Sequence, residues 1–166
     1  MIFASVGSLL PFERLVRAVD TWAHDNPAEE VFIQIGDTAF EPQHAPFARI
    51  MPMTEYRDRL RDCDLLVAHV GMGSILQALQ MRKQMLLMPR LKNRQEHTTD
   101  HQVDTAMRFA NVKGIRIADD EAMLRREMSL MLRQPLEISD AISDHASPEL
   151  LNNVKSFLGG VKSRRS

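Results

Sequence analysis

The 166-residue chain has one cysteine, Cys63, which excludes an internal disulfide and any zinc site built from several thiolates. Cys63 falls where a predicted helix meets a predicted strand, so burial is expected of it rather than reactivity. No stretch approaches the roughly 18 consecutive apolar residues of a membrane span. The first residues, Met1 to Gly7, lack a charged segment followed by an apolar one, so neither a span nor an export signal is read there. The formal net charge is −1, too small for bulk attraction to nucleic acid or an anionic bilayer, and nucleic acid is not expected as a partner. Internal repeats and low-complexity tracts are missing as well. Two phosphate-binding fingerprints fail on single residues. A dinucleotide fingerprint needs a third glycine where Leu76 stands, and a P-loop needs a lysine immediately before Ser74, where the chain has Gly73.

What is present is ordinary globular composition, 44% hydrophobic, enough for one domain with a sheet covered on both faces. Apolar runs too short for helices alternate with amphipathic stretches. Strands are predicted at Ile2–Val6, Val31–Ile35, Phe47–Met51, Leu65–Ala68, Met85–Met88 and Ile115–Ala118. Helices are predicted from Pro11 with Leu15, Val16, Val19 and Trp22 on one side, from Thr54 as cap through Cys63, over Ile75–Met81 and over His97–Ala110. Two more are predicted, from Asp119 as cap to Leu132 and from Pro148 to Leu158, stopped by Gly159-Gly160. The alternation predicts an α/β, Rossmann-like parallel sheet with helices on both faces and a ligand at its carboxyl edge. Residues 1–160 read as that domain and 161–166 as a frayed basic tail.

The chain is organised around Asp64 to Gln102. There a buried strand ends at His69, Gly71 and Gly73 follow, and a helix starts. Glycines allow close backbone approach, and the N–H groups of Gly73, Ser74 and Ile75 at a helix start would make an anion socket. The same residues are compatible with a tight strand-to-helix turn and a strand-end histidine. The run Arg90, Lys92 and Arg94, which as a charge run would usually be a solvated loop, reads here as overhanging the anion socket, with a length that suggests a lid or a partner contact, and Tyr56 reads as helix surface.

His69-Val70-Gly71-Met72-Gly73-Ser74-Ile75, an apolar strand ending in Pro89, and Glu96-His97 before Asp100-His101-Gln102 occur in that order. Val6 to Leu15 and Gln34-Ile35-Gly36 precede them. Together they resemble the C-terminal domain of glycosyltransferase family 28, above all its small one-domain members, the catalytic subunits of two-chain transferases that act on lipid-linked saccharides. The resemblance implies the donor-binding half of a GT-B enzyme. Expected partners are a UDP-sugar donor, a lipid-linked saccharide acceptor, and a membrane-anchored subunit that carries the missing half and holds the chain at the inner face of the membrane. A non-catalytic nucleotide-sugar-binding subunit is the alternative.

The same resemblance distributes the roles. Catalytic positions are His69, Asp100 and Gln102; substrate-binding positions are Gly7, Ser8, Gly71, Gly73, Ser74, Gln77, His97 and His101. Gly7 and Ser8 would lie beside the donor diphosphate, and Ile50 to Met53 would face the base. Asp100 and Gln102 would read hexose hydroxyls. His97, His101 and Asp100 are candidate bases, although the partner is expected to supply that group. Many relatives carry a ribose-binding carboxylate where Gln77 stands, and an amide holds a diol without charge assistance. Transferases of this kind work without an Asp-x-Asp metal motif, so neither metal nor cofactor is expected. The tail stripe Leu150, Leu151, Val154, Phe157 and Leu158 would close the core or meet the partner.

Overall fold

A computed structural model describes residues 1–138. The predicted helix at 148–158, its apolar stripe and the basic tail lie outside the described residues. Six strands, β1 (Ile2–Ser5), β2 (Val31–Gln34), β3 (Phe47–Ala48), β4 (Leu65–His69), β5 (Gln84–Met88) and β6 (Ile115–Ile117), form one sheet. Its order is β3-β2-β1-β4-β5-β6 and every pairing is parallel. The strand order reverses between β1 and β4, where Ser5 pairs with Ala68. Open parallel sheets bind ligands in the crevice that opens at such a reversal, outside the carboxyl ends of the strands.

The helices are α1 (Glu13–Asp25), α2 (Met53–Asp62), α3 (Met72–Gln80), α4 (His101–Phe109) and α5 (Glu121–Arg133), with a 3₁₀ turn at Lys92–Arg94. The period of two along each strand sends alternate residues to opposite faces. Ala4, Val67 and Leu86 pack with Leu15, Trp22, Leu124 and Met128 of α1 and α5. Phe3, Leu66 and Leu87 pack with Leu60, Ile75, Ala78 and Phe109 of α2, α3 and α4. Each fully buried leucine or phenylalanine contributes about 1.5–3 kcal/mol over its exposed form, so the central strands hold the sheet on both sides. The Trp22 indole donates to Ser129 Oγ at 2.8 Å, which joins α1 to α5. Cys63 is buried, and desolvation pushes its thiol up to about 11, which makes it unreactive.

Element order agrees with the sequence, and the differences lie at the ends. Pro52, not Thr54, holds the N-cap position of α2, without a side-chain bond. Asp120 rather than Asp119 caps α5, its Oδ1 accepting from Met123 N at 2.7 Å. Helix α3 starts three residues before Ile75, so Gly73 is inside its first turn. Helix α4 starts at His101, because residues 97–100 stay in the loop, where Asp100 Oδ1 accepts from Lys92 N instead of capping the helix.

Candidate functional site

The carboxyl ends of β1 and β4 meet at the reversal, and the residues singled out from sequence collect there. His69 ends β4, and its imidazole lies between two glycines. A Cβ on Gly71 would overlap Nε2, and one on Gly7 would come within 2.7 Å of Cε1. Both glycines therefore make room for the ring, and Gly7 also takes a left-handed φ of +78°. Gly71 thus has a packing reason to be glycine that the sequence reading did not give, whereas Gly73 is exposed, with no atom within 4 Å of where its Cβ would be.

Burial, first, and then the nearby charges of Arg90 and His97 together lower the His69 pKa to about 4. The Ser5 carbonyl opposes the shift in part, but Nδ1 is buried without a hydrogen bond. His69 is therefore neutral near pH 7 and offers hydrogen-bonding capacity rather than charge. A second orphaned atom, Gln77 Oε1, is buried on α3. Buried polar atoms without partners are uncommon, and with Arg90 Nε there are three among the described residues, which marks positions not shaped by stability alone.

At the start of α3 the N–H groups of Met72, Gly73 and Ser74 have no hydrogen-bond partner among the described residues. Ile75 is not among them, since its N–H makes the first intrahelical bond, to Gly71 O at 3.1 Å. Tyr56, expected at the surface, is half-buried. Its ring meets Phe3 edge-on with centroids 5.2 Å apart, and its hydroxyl donates to Ser74 Oγ at 3.2 Å. The Ser74 hydroxyl is thereby fixed at the mouth of the socket.

Four residues missed from sequence build the floor. Gln34, 5% exposed, accepts from Ser5 Oγ and Gly7 N and donates to the carbonyls of Gly7 and Arg49, so one amide holds the loops after β1 and β3 together. Its polar side chain inside the apolar run Val31 to Ile35 was the available signal. Arg14 of α1 grips both carboxylate oxygens of Glu96, at 2.8 and 2.9 Å, and also donates to Pro89 O. Glu96 in turn accepts from Leu91 N, which ties the long loop after β5 to α1. Arg90, expected in a charged loop, is 3% exposed and donates to the carbonyls of Val6 and Leu10. Lys92 and Arg94 are exposed as expected.

The remaining predicted residues share this edge unequally. Gln102 is buried, and its Oε1 accepts from Arg90 N at 3.0 Å, so half of its amide is committed to the loop after β5. Asp100 and Ser8 are exposed; His97 Nδ1 accepts from Thr99 N at 3.2 Å. The exposed His101 ring makes no hydrogen bond among the described residues. The chain does contain an Asp-x-Asp, Asp62-Cys63-Asp64, contrary to expectation. It precedes β4 at the opposite, amino edge, where Asp62 pairs with Arg61 and Asp64 with the Met1 amino group. Among the described residues no three His, Cys, Asp or Glu side chains are grouped to hold a metal ion.

A six-stranded parallel sheet with helices on both faces and a socket at the reversal is the architecture of the C-terminal half of GT-B glycosyltransferases. Residues 1–136 match the glycosyltransferase family 28 C-terminal domain, and the chain belongs to that family. No curated protein sequence matches it. Among solved structures it is similar to the glycosyltransferase of kitacinnamycin, with 18% identity and a TM-score of 0.57 over 96% of this chain and 39% of that one. The spinosyn forosaminyltransferase SpnP gives 15% and 0.54 over 80% and 35%. The C-terminal CMP-Kdo binding domain of WaaA from Acinetobacter baumannii gives 12% and 0.52 over 95% and 89%. The chain thus spans well under half of the first two and most of the third. Family membership makes it a glycosyltransferase C-terminal domain.

Proposed function

We propose that the chain is the donor-binding, catalytic subunit of a two-component glycosyltransferase that moves a hexose-type sugar from a UDP-sugar to a lipid-linked saccharide. The observation that carries this is His69 at the β1/β4 reversal beside the free N–H groups of Met72, Gly73 and Ser74. Cleaving an anomeric bond to a diphosphate leaves negative charge on phosphate, and prearranged donors that meet this charge lower the barrier. The helix start supplies three donors and a positive dipole end; Ser74 and neutral His69 supply hydrogen bonds without a proton having to be displaced.

Asp100, His97 and His101 line the acceptor side in this reading, and Asp100 with the Nε2 group of Gln102 reads sugar hydroxyls. Gly7 and Ser8 approach the diphosphate from β1, and Gln77 faces the ribose. The acceptor half comes from a membrane-anchored partner. Exposed apolar side chains at this edge, Leu9 at 87%, Ile50 at 75% and Met53 at 58%, fit a contact surface.

Transfer from labelled UDP-sugars to lipid acceptors, with and without a membrane fraction containing the partner, tests the proposal. Transfer only in the presence of the fraction is expected. Full activity of the isolated chain on a lipid acceptor overturns the two-component arrangement, and UDP binding without transfer in either case makes it a non-catalytic binding subunit.

A further inference from the structure

Arg90 differs from the other cations of the chain. It is 3% exposed, yet its guanidinium forms no ion pair among the described residues. Glu96, whose charge acts on it from a distance, is already gripped by Arg14. Arg90 instead donates through Nη2 to the carbonyls of Val6 at 2.8 Å and Leu10 at 2.6 Å, its Cζ lies 5.0 Å from the Phe12 ring centroid, and its Nε is buried without a partner. A buried cation facing only neutral acceptors is costly. Such a group calls for a role that a neutral side chain could not fill.

The two carbonyls it holds bracket Gly7-Ser8-Leu9-Leu10. The Gly7 carbonyl is turned inward too, onto Gln34 Nε2 at 3.0 Å. Across a trans peptide the N–H points away from the C=O, so the Ser8 N–H is directed away from Gln34. The N–H groups of Ser8, Leu9 and Leu10 have no hydrogen-bond partner among the described residues. Successive free N–H groups after a left-handed residue such as Gly7 make an anion-binding concavity.

We infer that Arg90 is a positioning residue for the donor diphosphate: by tying the Val6 and Leu10 carbonyls to the core it fixes both ends of the loop whose unpaired Ser8, Leu9 and Leu10 N–H groups meet a phosphate, and its buried charge favours that anion. This rests on the donor-binding reading above. A structural clamp alone would affect stability and every ligand alike. The positioning role affects only ligands that carry phosphate.

Two measurements test it. In the wild-type chain, hydrogen exchange of the Ser8, Leu9 and Leu10 amides is followed with UDP and with uridine; slowing by UDP and not by uridine is expected. Calorimetric titration then compares Arg90→Met, which removes the charge, with Arg90→Lys, which keeps charge but loses the fork. UDP affinity should fall at least about tenfold in Arg90→Met and by less in Arg90→Lys, with uridine affinity unchanged within about twofold. If neither variant folds, the wild-type exchange data decide. UDP binding without slowed exchange at these amides, or equal losses for UDP and uridine, overturns the inference alone. A wild-type chain that binds no UDP overturns the functional reading, and the inference with it.

Discussion

The imidazole of His69 fills the volume that a Cβ on Gly71 would need. Gly71 has an ordinary extended conformation, φ −110° and ψ 127°, so alanine is allowed there by the backbone and excluded only by the ring. Gly71→Ala should therefore destabilise the fold by about 1–3 kcal/mol, the usual range for overpacking. The double variant Gly71→Ala with His69→Ala should regain most of that loss. Denaturant unfolding of the two single variants and the double one checks this, and additive losses would mean that the ring is not what excludes the methyl.

His69→Ala alone should fold and lose at least about tenfold in transfer rate, roughly 1.4 kcal/mol of transition-state stabilisation. The assay is transfer in the reconstituted two-component system. Full retained activity would make the residue structural.

The same histidine sets a pH dependence. Burial holds its folded pKa near 4, below the ordinary 6.5, so between those values the unfolded chain binds a proton that the folded chain does not. Stability should consequently be full above about pH 6.5 and fall toward pH 4, by about 3 kcal/mol at the extreme for this one group. His69→Asn should flatten that part of the curve. Thermal melts of both proteins across this window compare the slopes, and equal slopes would contradict the assignment.

Glu96→Ala should cost about 3–5 kcal/mol, since it leaves Arg14 buried, with its side chain 6% exposed, and without its bidentate partner. The loop after β5 loses its tie to α1 at the same time. Urea unfolding and protease sensitivity within residues 90–100 report the two effects separately.

How far the fold could be read from sequence follows from the range of the forces involved. Strand positions and helix faces come from local periodicity, and Leu65–Ala68 or Leu15, Val16, Val19 and Trp22 carry that signal within a few residues. Helix starts were displaced because caps depend on competing bonds: Asp100 serves Lys92 N rather than α4. Within the glycine motif Gly73 opens on free space while Gly7 and Gly71 accommodate His69, a contact that the spacing of the motif does not reveal. Arg90, read as part of a charged loop, is buried because carbonyls 80 and 84 positions away in the chain receive it. Tyr56, read as surface, is held by Phe3 and Ser74, 18 positions from the latter. Nothing local to Arg14 or Glu96 marks a pair 82 positions apart.

The central claim, a nucleotide diphosphate at the start of α3, is tested most directly at Gly73, where the fold and the ligand make opposite demands. A Cβ there meets no protein atom within 4 Å, and a non-glycine residue favours a helix by up to about 1 kcal/mol. Calorimetric titration of UDP into the wild-type chain and into Gly73→Leu, with melting temperatures of both, is the decisive measurement. The account predicts that the variant melts at or above the wild-type temperature and binds UDP at least about tenfold more weakly. Equal UDP affinity in the two proteins, or no UDP binding by the wild-type chain at millimolar concentration, would contradict it.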